Sequence, residues 1–335
     1  MVEKEKDMKE LRGVKIAGTG HYLPEKVLTN EYFEKIVDTN DEWIRTRTGM
    51  KKRHIAAPDQ ATSDLCVEAA KQALDMAGKK PEDVDLILVG TVTPDMMLPA
   101  TGALVQDKLG CRTIPAFDFE IGCTGFVYGL SMGSQFVATG AYDNVLLIAA
   151  DTLTRITDYT DRNTCVLFGD GAGAVLLTPS EKNKILGCHL GADGSQIEIL
   201  YQPAGGSLKP ASEETLKNHE HYIKMEGQSV FRVAVNRMRE GLEKACEQAE
   251  IEPSQLDYII PHQANMRIMD AVRKFAKLNP EQLIKTLEEH GNTSAATIPI
   301  AFDMSVRSGK IKRGNLIGVT AFGAGLSWGG AVFEF

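Results

Sequence analysis

The chain has 335 residues, 43% hydrophobic and 24% charged, which is enough apolar mass for one large core or two fused ones. Its formal net charge of −8 excludes a general nucleic-acid binder, because no global positive field would gather phosphates. Six cysteines, at 66, 111, 123, 165, 188 and 246, contain no CxxC pair, so neither a disulfide framework nor a zinc site fits and a reducing compartment is expected.

The opening MVEKEKDMKELRG is charged and lacks the apolar centre of a signal peptide. No apolar run approaches the roughly 18 residues that a membrane span needs. A cytoplasmic protein without membrane insertion is the expectation. Residues 69–90, AAKQALDMAGKKPEDVDLILVG, read as an amphipathic helix, a turn with proline, an Asp and an apolar strand. Residues 241–262, GLEKACEQAEIEPSQLDYIIPH, repeat that order, with Ala73 and Ala245, Pro81 and Pro253, and Asp85 and Asp257 each 172 positions apart. FGDGAGAVLL (168–177) and SWGGAVFEF (327–335) are likewise similar. The pattern predicts a duplicated pair of α/β units, residues 1–180 and 181–335, joined within TPSEKNK.

Between those repeats, the strand IPAFDF (114–119) runs into EIGCTGFVYG (120–129) and a helical segment of small and apolar residues. Cys123 therefore stands at a strand–turn–helix junction, where helix N–H groups and the helix dipole would favour a thiolate. A buried packing thiol is the equally ordinary reading. GTGHYLP (18–24) and GDGAGA (169–174) lack the remaining residues of a dinucleotide or phosphate loop, so backbone packing is the expectation for both. Residues 191–222 are rich in Gly, Pro, Ser and Lys and predict a long surface excursion; the HEH at 219–221 within it reads as a solvated pair of histidines.

His262 ends the strand LDYII and opens PHQAN, at the position where an α/β strand empties into a cleft. Asn292, in HGNTSAAT, stands before a small-residue helix and reads as a cap or as a site residue. At the offset of the repeat, Cys123 falls opposite Ala295 and His262 opposite Gly90. A pseudo-two-fold axis would then bring the three side chains to one cleft.

Taken together, GCTGF (122–126), PHQAN (261–265), HGNTSAA (290–296) and AFGAGLSWG (321–329) resemble the β-ketoacyl-acyl carrier protein synthase III family of thiolase-like condensing enzymes. The likeness runs from about Gly13 to Phe335 and includes DTNDEWIRTRTGMKKRHIA (38–56) and DRNTCVLFGDGAGAVLL (161–177). It implies a duplicated αβαβα five-layer sandwich. It also implies the chemistry: Cys123 takes an acyl group, with acetyl expected, from acyl-coenzyme A. His262 and Asn292 then stabilise the enolate formed when malonyl-acyl carrier protein loses carbon dioxide, and the product is a 3-oxoacyl chain on the carrier protein. The backbone N–H groups of Cys123 and Ala324 would form the oxyanion hole. Trp43 and Arg162 would sandwich the CoA adenine, with Arg47 and Thr48 near its phosphates and Asn265 along the pantetheine. Leu98 and Phe322 would border the primer pocket, and Leu98 would reach it across a homodimer interface. Arg232, Arg267, Arg273, Lys274 and Lys277 would dock the acidic carrier protein, with 267, 274 and 277 on one helical face. No metal and no resident cofactor is implied; CoA enters as the thioester.

The sequence departs from the family in two places. GAG replaces the usual glycine triplet at 323–325, and Leu98 stands where some acetyl-preferring members have Phe. The second leaves room for a longer or branched acyl-CoA in a specialised pathway. A Cys-His-Asn hydrolase is the alternative from another class, with the same chain order of the three residues but without the protease signature around the cysteine.

Overall fold

The computed structural model describes residues 11–335; most of the charged N-terminal stretch, residues 1–10, lies outside them. Nine strands form two sheets. The first holds β1 (Gly13–Tyr22), β2 (Leu86–Gly90), β3 (Ala116–Phe119), β4 (Val145–Thr152) and β5 (Asp170–Ser180) in the order β1-β5-β4-β2-β3. The second holds β6 (Ile185–Ala192), β7 (Tyr258–Pro261), β8 (Leu316–Gly323) and β9 (Ser327–Glu334) in the order β7-β8-β9-β6. A parallel bridge between Ile259 and Leu283 stands where the first sheet has its fifth strand. The principal helices are α1 (Asp41–Thr48), α2 (Thr62–Met76), α3 (Thr101–Leu109), α4 (Gly125–Ala138), α5 (Gly227–Gln248), α6 (Met266–Phe275) and α7 (Thr297–Arg307).

The strands of the first sheet are apolar without interruption because both faces are covered. Along β2, Leu86 and Leu88 face one core and Ile87 and Val89 the other. Val145 and Leu147 of β4 divide from Leu146 and Ile148 in the same way. The outer core belongs to α2, through Leu65, Ala69 and Ala73. The inner core lies between the sheets, where Phe126 and Leu130 of α4 and Ile298 and Phe302 of α7 pack against both. Outside the second sheet, α5 and α6 supply Met238, Leu242, Met269 and Val272. The result is five layers, helix–sheet–helix–sheet–helix, the thiolase-like α/β sandwich that the family resemblance implied.

The repeated residues have the same work in each half. Asp85 Oδ2 accepts from Asn144 N at 2.9 Å, at the start of β4, and Asp257 Oδ2 accepts from Leu316 N at 2.8 Å, at the start of β8. Each carboxylate pins the central strand of its sheet. The repeated alanines explain a close approach: a Cβ on Gly18 or on Gly187 would stand 2.1 Å from the carbonyl oxygen of Ala73 or Ala245. Gly18→Ala and Gly187→Ala are therefore expected to destabilise by about 1–3 kcal/mol, visible as lower melting temperatures.

The 191–222 segment is more ordered than a loop. It contains a 3-10 turn (Gly194–Ile199), a short strand (Leu200–Tyr201) that pairs with Lys224–Met225 just beyond the segment, and a short helix (Glu213–Lys217). His219 is not simply solvated, for its Nδ1 lies 2.8 Å from Asp158 Oδ2.

Candidate active site

The two central helices begin alike. A 3-10 turn, Gly122–Thr124, leads into α4, and a second, Ser294–Ala296, leads into α7. These turns touch, since a Cβ on Gly125 would lie 2.9 Å from Ala295 Cβ. The same fact corrects the role of the glycines around Cys123. Gly125 makes room for the opposite turn, and Gly122 adopts φ +55° with its Cβ position 3.0 Å from Ala324 N. The glycine against the cysteine itself is Gly323, whose Cβ would meet Cys123 N at 2.6 Å. The 122–124 and 323–325 turns are thus pressed together. Ala324 has no left-handed φ, so its methyl group is accommodated.

Cys123, His262 and Asn292 all line one cavity of about 1180 Å³, together with Phe322 and Ala324. His262 is buried at the end of β7, and its Nδ1 lies 2.7 Å from Thr297 Oγ1. That hydroxyl has two acceptors in reach, His262 Nδ1 and, at 3.0 Å, the Ser294 carbonyl. When its proton goes to Nδ1, the ring proton sits on Nε2 as a donor. Asn292 Oδ1 accepts from Ser294 N at 2.8 Å, which leaves its amide N–H₂ for the cavity. Asn292 is also fixed at its backbone, between Leu167 O and Gly169 N.

Burial sets the protonation states. It pushes His262 down to about 3, so the imidazole is neutral. It pushes the Cys123 thiol up to about 12 from 9.0, against the opposing pull of the Ser294 hydroxyl. Burial thus opposes the thiolate that the helix start favours. Cys123 stands before the first residue of α4 rather than in it. The histidine, lowered by its burial, therefore rests as a neutral imidazole.

The lowered histidines give a stability prediction. His262 falls from 6.5 to about 3 and His290, buried against His54 at 3.0 Å, to about 4. The unfolded chain takes up protons near 6.5 that the folded chain refuses, so stability falls as pH drops below 6.5. Thermal melts should show this decline, and His290→Gln should reduce its slope between pH 6.5 and 4.

The other expected site residues divide. Trp43, Arg47, Thr48 and Asn265 line the cavity. Arg162 lies over the Trp43 ring at 4.7 Å and is held by the Asp38 carbonyl at 2.7 Å, so the two stack on each other with no gap for an adenine. Thr48 Oγ1 donates to Ile44 O, and Asn265 caps α6 while donating to Arg47 O, which ties α6 to α1. Of the basic group, Arg232 and Arg267 border the cavity. Arg273 is turned inward, bound to Asp270 at 2.8 Å and to the Leu278 carbonyl, so it is not a free surface cation. Lys274 pairs with Asp270, and Lys277 lies beyond the end of α6, so 267, 274 and 277 do not form one helical face. Leu98 is 86% exposed beside exposed Met96 and Met97, and of the three only Met97 lines the chain's own cavity. The 200–206 stretch forms another wall of it.

Sequence reading overlooked four residues at the site: Asp151, Ser294, Thr297 and Gly323. The signal for Asp151 was available, an acid closing the apolar run VLLIAA. Among the described residues, no helix is long and apolar enough to cross a membrane.

Residues 117–194 match the family profile for 3-oxoacyl-acyl-carrier-protein (ACP) synthase III, and residues 246–335 match the profile for its C-terminal part. The β-ketoacyl-acyl-carrier-protein synthase III of Caldanaerobacter subterraneus subsp. tengcongensis is 53% identical over 321 residues, covering 96% of this chain and 97% of that protein. The crystal structure of the Aquifex aeolicus 3-oxoacyl-acyl-carrier-protein synthase III superposes with a TM-score of 0.89 at 43% identity, over 96% of this chain and all of that one. The priming β-ketosynthase of a polyketide biosynthetic pathway superposes at 0.91 with 32% identity, over 97% of each chain. On sequence, fold and the meeting of the two helix-start turns, the chain belongs to the β-ketoacyl-acyl-carrier-protein synthase III family of condensing enzymes.

Proposed function

We propose that the chain initiates fatty acid synthesis by condensing an acyl-CoA, with acetyl-CoA as the expected primer, with malonyl-acyl carrier protein in the cytoplasm. The observation that carries the reading is the meeting of Cys123, His262 and Asn292 at one cavity beside the 122–124 and 323–325 turns. Cys123 Sγ attacks the thioester carbonyl, and the oxyanion is met by the N–H groups of Cys123 and Ala324, each worth about 3–4 kcal/mol. CoA leaves and the carrier-bound malonyl group enters. Its thioester oxygen takes hydrogen bonds from His262 Nε2 and Asn292 Nδ2. Those donors stabilise the enolate as carbon dioxide departs, and the carbanion attacks the acyl-cysteine. Neutral donors suit this step, because no proton is taken from carbon.

Residues 1–180 and 181–335 are read as the two halves of the duplication, the first supplying the nucleophile and the second the donor pair. Leu98 and its exposed neighbours Met96 and Met97 support a homodimer in which Leu98 borders the partner's primer pocket. Arg232 and Arg267 are the cations retained for carrier-protein docking, with Lys274 and Lys277 further out.

Incubation with malonyl-carrier protein and a series of acyl-CoAs tests the reading, with products identified by mass. A 3-oxoacyl-carrier protein is expected, and acyl-CoA hydrolysis alone would refute it. Leu98 and the likeness to a polyketide priming synthase favour including longer and branched primers. For the adenine site, Arg162 must lift from Trp43 by one stacking layer. Trp43→Ala should raise KM for acyl-CoA about 5–10-fold, the value of one aromatic stack, with kcat nearly unchanged in steady-state kinetics.

A further inference from the structure

The cavity wall that holds Asn292 rests on a buried cation. Arg53, in the short strand Lys52–Ile55, is fully buried, and its guanidinium lies over the Phe33 ring at 4.9 Å. Its Nε donates to Val166 O at 2.9 Å, and Nη2 donates to the same oxygen. Its Nη1 donates to Asn30 Oδ1 at 2.5 Å. Asn30 Nδ2 in turn donates to Asp41 Oδ1 at 2.7 Å and to the Met50 carbonyl at 3.0 Å. Burial lowers Arg53 from 12.5 to about 10, so it stays charged at neutral pH. Among the described residues, no carboxylate pairs directly with it. A buried cation without an anion is costly, and a methionine or leucine would fill the space without that cost. Packing alone therefore does not account for an arginine here.

What the guanidinium grips is the backbone partner of Asn292. Val166 is followed by Leu167, whose carbonyl accepts from Asn292 N at 3.0 Å, and Gly169 N donates to Asn292 O at 3.0 Å. The two segments lie side by side through a parallel bridge between Phe168 and Asn292. Arg53 also bears on both glycines of this bridge. A Cβ on Gly291, at φ +68°, would lie 2.9 Å from Arg53 Cγ, and one on Gly169 would lie 3.4 Å from Arg53 Cβ. The strand around Arg53 is fastened to the chain just before Asn292. Lys51 N donates to Glu288 O at 2.7 Å, Lys52 pairs with Glu289 at 2.7 Å, and His54 Nε2 lies 3.0 Å from His290 Nδ1. The hydrogen bonds of Arg53 reach neither the 122–124 turn nor the 323–325 turn.

We propose that Arg53 is a positioning residue for the malonyl half-reaction, holding Asn292 at the thioester oxygen through the Val166–Gly169 segment. The inference rests on the synthase reading above, in which Asn292 presents one of two donors to the enolate oxygen. Such a donor works only when it is already aimed at the atom where charge develops. A misplacement of about 1 Å, caused far from the chemistry, can cost about 10²-fold. A guanidinium suits the task because its fork grips one carbonyl with two N–H groups while a third reaches Asn30. A lysine would keep the charge, but its single ammonium cannot hold both ends. Acylation of Cys123 draws on the 122–124 and 323–325 turns, which Arg53 does not hold.

The test uses the full chain as wild type, Arg53→Lys, Asn30→Ala, Asn292→Ala and the double variant of Arg53→Lys with Asn292→Ala. Decarboxylation of malonyl-carrier protein and single-turnover acylation by acyl-CoA are both measured. Arg53→Lys should slow decarboxylation about 10–10²-fold through kcat, with KM for malonyl-carrier protein nearly unchanged and acylation within about threefold of wild type. Asn30→Ala leaves the guanidinium bound to Val166 alone and should cost less, about 3–10-fold, in the same step. The double variant should decarboxylate within about twofold of Asn292→Ala, because Arg53 acts through Asn292. Deuterium exchange at the Gly169 and Asn292 amides reads the clamp without substrate. It should quicken at least about tenfold in Arg53→Lys, with the amides of 123–125 unchanged. Equal losses in both half-reactions, full additivity with Asn292→Ala, or unchanged exchange would each overturn the positioning role. If Arg53→Lys does not fold, Asn30→Ala decides by the same split and the same exchange. A wild-type chain that releases no carbon dioxide from malonyl-carrier protein would instead sink the synthase reading, and the exchange rates would still decide the clamp.

Discussion

Replacing Cys123 by serine should abolish transfer of a radiolabelled acyl group from acyl-CoA to the protein. The exchange keeps the shape of the side chain, so the contact of the 122–124 turn with Gly323 and Ala324 should survive. What it removes is sulfur. Burial already holds the thiol up to about 12, and a hydroxyl in the same turn is a far weaker acid and a poorer nucleophile. The expected loss is about 10³-fold or more in the acylation rate, with an unchanged melting temperature. Stoichiometric labelling of Cys123→Ser, measured on the intact protein, would remove Cys123 from its role.

The second large effect separates the half-reactions. His262→Ala and Asn292→Ala should each still form the acyl-enzyme, within about tenfold of the wild-type rate. Malonyl decarboxylation should fall about 10²–10³-fold in each, the usual cost of one oxyanion donor. Asn292→Asp should be worse than alanine. Its Oδ1 can still accept from Ser294 N–H, but an anion then stands where a donor is needed. His262 is neutral above about 3, so decarboxylation should show no limb from this group between pH 5 and 9. Carbon dioxide release by each variant across that range is the measurement. Unimpaired release by His262→Ala would refute the donor role.

The architecture was legible because its determinants are local and repeated. Apolar strand runs alternate with helical periodicity, and the residues at 73/245 and 85/257 recur because each half meets the same packing problem. Placing Cys123 opposite Ala295 anticipated that two helix starts would meet. The chemistry was implied only by the family resemblance of the motifs around 123, 262, 292 and 324. Charge state was less legible. A helix start suggested a thiolate, but burial by distant segments acts in the opposite direction. Surface roles also misled: the pattern offered Arg273 as a docking cation, yet Asp270 and the Leu278 carbonyl turn it inward.

The sequence by itself determined the α/β class, because periodicity and turn chemistry are properties of the chain, and its motifs carried the family resemblance that implied roles for Cys123, His262 and Asn292. Only the tertiary structure decided the burial of His262, the stacking of Arg162 on Trp43, and the contact of Ser294 with Cys123. Each depends on burial and on partners far away in the chain. Cys123 and Ser294 are 171 positions apart, yet 3.7 Å separates their sulfur and oxygen, and no local pattern encodes that distance.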